Sequence, residues 1–353
     1  MFQKYIYLLG FFMLCTASVF SQSFISFKDV RPNPVPNAYQ IQVKDLRVNQ
    51  QEALGELFVA NGSKQKAFFK NGLSNTFNQF FQNTLKQDSS KPLVVLAIKN
   101  VKINEVKSQN LINGTCEMML EFLIVKGTET QKIGEIKNES SFQRSVNIQT
   151  DEKLEEIFRK FINQDINYLN QWFDKNKTKH EGLAKGSKVI ILPAYTKNEA
   201  DTVYYGTREI NWDDFRGSPK SNSPYGAMIF TSIGYNSEFG VQDGKIIAKI
   251  TPKTFMIKGM SWTLPETKNS YALSHERLHF DIANLATKRF LKKISTINAD
   301  TMDDLNSRIQ YEYLEAFKEM TRMQEQYDGE SNHSLIAAKQ SEWAAKVAVW
   351  LKE

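Results

Sequence analysis

Tyr271-Ala272-Leu273-Ser274-His275-Glu276-Arg277-Leu278-His279-Phe280-Asp281-Ile282-Ala283-Asn284-Leu285-Ala286 is the stretch on which the reading of this chain turns. Its apolar residues recur at helical spacing, and Asn269-Ser270 ahead of it are good helix caps. Residues four apart lie one turn above the other on the same helix face. His275 and His279 can therefore aim two imidazoles at one ion, as a tetrahedral Zn²⁺ site requires. Glu276 follows about 100° round the helix, where a carboxylate can act on water beside the ion without ligating it. His-Glu-x-x-His on a helix is the pattern of metal-assisted hydrolysis, with Glu276 as general base and a peptide bond as the commonest target.

Two histidines do not complete a catalytic zinc site, which takes three protein ligands and one open position. The chain has four histidines in all. No histidine occurs from 280 to 332, so the first downstream one is His333. It follows Tyr327-Asp328-Gly329-Glu330-Ser331-Asn332, which reads as a loop between two helices at 302–327 and 335–351, and His333 is the expected third ligand. Glu312 and Glu315, on the earlier of those helices, and Asp281 are the alternatives. Asp281 lies two residues past His279, faces away from it, and fits better as a supporting group or a partner of Arg277. Tyr327, close to His333 in sequence, is the expected oxyanion donor, with Tyr235 or Arg277 behind it.

Upstream of the helix the pattern is β-rich. Val189-Ile190-Ile191-Leu192 reads as a short buried strand, and 227–239 and 245–255 read as two strands joined through Gln242-Asp243-Gly244, a favoured tight-turn pair. Residues 176–188 are polar, include His180 and read as a linker. Before it, 24–175 reads as an N-terminal α+β module of helices and antiparallel sheet. Its expected elements are a helix over 65–87, strands over 92–106 and 115–126 joined at Asn113-Gly114, a strand over 133–148 and a helix over 151–173. Residues 29–36 carry three prolines and read as extended. Nothing in this module forms a reactive constellation.

Residues 1–21 have a lysine, a short apolar run and small residues near Ser21, the pattern of a cleaved secretory signal peptide, so the chain is expected to be secreted or periplasmic. With the leader removed, about 330 residues remain. Of the two cysteines only Cys116 is left, so no internal disulfide can form. The net charge is +6, but the lysines are scattered and not interleaved with aromatics. That excludes nucleic-acid recognition as the reading and suits a soluble protein with loose affinity for acidic envelope surfaces.

Four signatures in the last two-fifths of the chain go further. Trp212-Asp213-Asp214-Phe215-Arg216-Gly217-x-Pro219, Ser261-Trp262, His275-Glu276-x-x-His279-Phe280-Asp281-Ile282, and Tyr327-Asp328-x-Glu330-x-x-His333 followed by Gln340-x-x-Trp343 resemble a bacterial family of uncharacterised function described as secreted zinc-dependent proteases. The chain departs from that pattern at Arg277-Leu278, where glutamine and a small residue are usual, and at Ser334, where glycine is. The resemblance implies a zincin-like, zinc-dependent metallopeptidase domain over 189–353 acting on a peptide or protein substrate. Two other readings share the same residues: a catalytically inactive binding module of the cell envelope, and a zinc hydrolase of a non-peptide amide.

Overall fold

The computed structural model describes residues 22–28, 37–147, 151–219 and 223–353. The expected signal peptide at 1–21 and the proline-bearing segment 29–36 lie outside the described residues. The chain is mixed α+β and divides into two compact units, the first ending at Phe173 and the second running Asp174–Glu353.

The first unit carries strands β1 (Gln22–Ile25), β2 (Gln40–Asp45), β3 (Glu56–Phe58) and β4 (Lys64–Phe69), then helix α1 (Leu73–Thr84). Strands β5 (Leu93–Ser108), β6 (Leu111–Lys126), β7 (Glu129–Ser145) and helix α2 (Asp151–Asn176) follow. The order β2-β5-β6-β7 makes a sheet in which β5, β6 and β7 form an antiparallel meander and β2 runs parallel to β5. A second small sheet has the order β1-β4-β3.

Two expectations change here. The helix expected over 65–87 begins only at Leu73, and Phe68 and Phe69 belong to β4. Gly72 at the helix start sits at φ 77°, a left-handed conformation that no helix interior contains, so it separates strand from helix. Second, the hairpin does not turn at Asn113-Gly114. Ser108 pairs with Leu111, so the turn is Gln109-Asn110, with Gln109 at φ 55°. Gly114 instead makes room in the sheet: a Cβ there would lie 2.2 Å from the Phe142 ring of the next strand.

The core of this unit is aromatic. Phe69 and Phe77 pack edge-on against each other and against Phe158 of α2, and Phe27 joins the same cluster. Two polar pairs are among the buried groups of this unit. Glu105 and Arg144 form a two-pronged ion pair across the sheet at 2.9 and 2.7 Å. Asp165 accepts from the Asn138 amide at 2.8 Å, and burial raises its carboxyl to about 7 despite that bond.

The second unit opens with β8 (Ser187–Ile191) and β9 (Thr202–Tyr204), then β10 (Ala227–Met228), β11 (Thr231–Gln242), β12 (Lys245–Ile257) and β13 (Trp262–Thr263). Three helices close the chain: α3 (Ser270–Ile294), α4 (Met302–Ser331) and α5 (Ala337–Trp350). β11 and β12 form the expected hairpin, with Asp243 and Gly244 both at positive φ, as a type I′ turn needs. β8 lies parallel to β12 and β9 antiparallel to it, while β10 pairs with β13.

Segment 176–188, expected as a linker, is built into this unit. The Glu181 carboxylate accepts from the Met302 N–H at the start of α4 (2.6 Å), Ala184 lies in the core, and Ser187 opens β8. The His180 ring caps the short turn that follows it by accepting from the Gly182 N–H, so this histidine is structural.

Helix α3 is central to this core. Ala283, Ala286, Phe290 and Ile294 pack on Ile246, Ala248 and Ile250 of β12 and on Leu305, Ile309, Ala316 and Met320 of α4. Leu278, Ile282 and Leu285 meet Met323, Tyr327, Trp343 and Val347 of α4 and α5. The two alanines let the sheet approach α3 closely, and the Thr254 and Thr287 hydroxyls bond across that contact at 2.7 Å. The helix is therefore gripped on two faces, which fixes the direction of the side chains on its remaining face.

Candidate metal centre

Asn269 caps α3 by accepting from the Ala272 N–H at 2.8 Å, and Lys292 and Lys293 stand in the last turn, where cations favour the helix dipole. One turn in, His275 and His279 project together, with Nε2 atoms 3.3 Å apart. A carboxylate oxygen of Asp328, from the last turn of α4, lies 3.1 Å from the first and 3.0 Å from the second. These three are the one cluster among the described residues whose donor atoms converge as metal ligands do. A tetrahedral ion with ligands at 2.0–2.1 Å places its ligand atoms about 3.3 Å apart, so the triangle has a size and donor set that could hold a metal ion.

The third group is thus Asp328 and not the expected His333. Helix α4 runs on to Ser331, four residues past the boundary expected from the sequence. Gly329 does not stop it, because Tyr327 and Ser331 are buried on the face already set by Met320 and Met323. The cap falls at Asn332, in the left-handed region at φ 47°. His333 comes after that cap, exposed, with Nδ1 3.7 Å from the other Asp328 oxygen and its ring stacked on Tyr225 at 4.4 Å. The spacing Ala316, Met320, Met323, Tyr327, Ser331 carried the signal that the helix continues; Asp328-Gly329 masked it by looking like a turn.

The remaining candidates lie elsewhere. Glu312 pairs with Lys293 and Glu315 with Lys318, both away from the cluster. Asp281 accepts from the Tyr205 hydroxyl at 2.7 Å, which ties the segment after β9 to α3. Arg277 donates to the Ile210 carbonyl and ties the preceding loop to α3, and Tyr235 packs between Phe290 and Tyr313. Neither is placed as an oxyanion donor. Tyr327 is fully buried, with ring centroids 4.6 Å from His275 and 5.1 Å from His279. Its hydroxyl has no hydrogen-bond partner among the described residues, and burial beside Asp328 and Glu276 raises it far above the usual phenol range. It backs the two imidazoles and keeps its proton.

Glu276 is buried beside His275, and one of its oxygens accepts from the Ile229 N–H at 2.9 Å. Burial raises this carboxyl to about 7; His275 and the Ile229 bond pull it down, and Asp328 adds to the rise. Asp328 goes the other way. Burial pushes it up, but the two histidines outweigh that and hold it well below the ordinary carboxylate range. The pair therefore splits into a permanent anion facing the imidazoles and a carboxyl able to exchange a proton near neutrality.

The sequence signatures around the cluster act as fasteners. Asp214 is clamped by Arg208 and caps the short turn Trp212–Asp214, while the Trp212 indole donates to the Asn269 carbonyl at the mouth of α3. The buried Ser261 hydroxyl accepts from the Phe230 N–H at 2.9 Å, which steadies the segment that bonds Glu276. Gln340 donates to the Ser274 hydroxyl and Trp343 to Glu330, so α5 locks the ends of α3 and α4 together.

The chain matches no protein-family model, no curated protein and no solved structure. No helix among the described residues is long and apolar enough to cross a membrane.

Proposed function

We propose that the second unit is a zincin-like, zinc-dependent peptidase of the cell exterior, with Glu276 as its general base. The observation that carries this is the convergence of His275, His279 and Asp328 beside a buried glutamate on the same helix. His275 and His279 would hold the ion through Nε2 and Asp328 through a carboxylate oxygen. Zinc in such a site supplies Lewis acidity, lowering the pKa of water towards about 7 and polarising a substrate carbonyl.

The protein's own groups do the rest. Glu276, buried beside the cluster, would accept the proton of the attacking water and return it to the leaving amine. The Ile229 N–H holds one carboxylate oxygen in place and leaves the other for this exchange. Tyr327 packs against both imidazoles from behind, with Trp343 packed in turn against Tyr327. The described residues offer no counterpart to an oxyanion donor in the cluster apart from Tyr327, whose buried hydroxyl points to support of the rings over contact with substrate.

Glu276→Gln tests the assignment. It keeps shape and a hydrogen-bonding oxygen for Ile229 but cannot take a proton. Zinc content should stay at the wild-type value while peptide turnover falls by roughly 10²–10⁴. Loss of the metal in this variant would make Glu276 a ligand and sink the mechanism.

A further inference from the structure

Several large apolar side chains are exposed on the segments around this charged cluster. Tyr225, Met228, Tyr271, Leu335 and Ile336 are between 36% and 79% exposed, although side chains of this kind are normally buried. Each belongs to a segment that touches the candidate centre. Tyr225 stacks on His333, which neighbours Asp328. Met228 precedes Ile229, whose N–H holds Glu276. Tyr271 stands one helical turn before His275 on the same face of α3, and its hydroxyl bonds the Ser334 carbonyl at 2.6 Å. Leu335 and Ile336 continue directly from that residue.

The turn that presents them is strained. Asn332, His333 and Ser334 take positive φ in succession, at 47°, 49° and 72°, with no glycine among them. L-residues other than glycine rarely adopt such a run, asparagine most readily among them. It is held by His333 N–H to the Asp328 carbonyl (2.9 Å), Ile336 N–H to the Ser331 carbonyl (2.8 Å) and the Tyr271 bond. Strain of this kind persists where the surroundings fix it, and here it turns two aliphatic side chains outward beside the centre.

Resting on the peptidase reading above, we infer that these five side chains form a specificity rim that selects peptides with a bulky apolar residue next to the scissile bond. Apolar side chains set about a few polar reactive groups are the ordinary build of a selective site. Burying a substrate leucine or phenylalanine against it recovers the exposure that the fold leaves on these residues.

The experiment uses the zinc-loaded full chain on an equimolar peptide mixture, with product termini read by mass spectrometry. Cleavage sites should be enriched about tenfold for Phe, Leu, Ile, Met or Tyr at one flanking position. Tyr225→Ser with Leu335→Ser should lower kcat/KM on those peptides about tenfold or more, through KM, and leave zinc content unchanged. A second arm measures binding of fluorescent apolar and acidic peptides to the Glu276→Gln protein, where hydrolysis plays no part. Cleavage without apolar preference, or equal binding of both peptides, overturns the rim. Preferential binding of apolar peptides with no cleavage by the wild type keeps the rim and overturns the peptidase.

Discussion

Asp165→Asn isolates a cost that the first unit carries at neutral pH. The Asp165 carboxyl is buried in α2, accepts from the Asn138 amide, and its pKa is raised from 3.8 to about 7. Because the folded value is the higher one, the folded state binds the proton more tightly than the unfolded chain does. The stability this contributes is complete below about pH 4 and drains away as pH rises towards 7, after which the curve is flat. A shift of about three units at 1.36 kcal/mol each gives a loss on the order of 4 kcal/mol across that window. Asparagine keeps the oxygen that accepts from Asn138 but never ionises. The variant should match the wild type within about 1 kcal/mol at pH 4.5 and exceed it by about 3–4 kcal/mol at pH 8. Urea titrations of both proteins at the two pH values, followed by hydrogen exchange in peptides from β7 and α2, read the difference locally. Equal pH slopes in the two proteins, or a variant weaker than wild type at pH 8, would refute the reasoning.

Other outcomes follow from the same packing. Arg144→Met strands Glu105 as a buried charge and should cost about 3–5 kcal/mol in urea unfolding. Adding Glu105→Leu should recover most of that but not all, since Phe58 donates to Glu105 and accepts from Arg144 and would lose both partners. Ser334→Gly relaxes one left-handed residue and should stabilise the chain by about 0.5–1.5 kcal/mol, raising its melting temperature; an unchanged or lower value means that the turn is not strained there.

The reach of the sequence differs from element to element for physical reasons. Helix α3 was legible because cap, apolar period and histidine spacing agree over its whole first half. The Asp243-Gly244 hairpin was legible because its turn needs positive φ at both positions and the sequence supplies them. Asn113-Gly114 looks the same locally, but Phe142 across the sheet needs the missing Cβ, and only the fold reveals that. Phe68 and Phe69 fit a helical period and lie in a strand because Gly72 breaks the backbone between them and α1. Asp328 stands in one of the signatures, but the glycine after it reads in sequence as the start of a loop. The buried spacing through Tyr327 and Ser331 carries the helix one turn further and delivers the carboxylate. The polar segment 176–188 shows the reverse case: Glu181 and Ser187 bond into the second unit through groups that look like solvent-facing linker.

Metal affinity, measured by chelator competition on the wild type, Asp328→Ala and His333→Ala, tests the central claim most directly. The wild type should bind one zinc per chain, because one cluster converges among the described residues. Asp328→Ala should weaken that binding well beyond the 10–100-fold typical of losing a supporting group, and His333→Ala should stay within about that range. A wild type that takes up no zinc, or an Asp328→Ala protein that keeps full affinity while His333→Ala loses it, contradicts the site described.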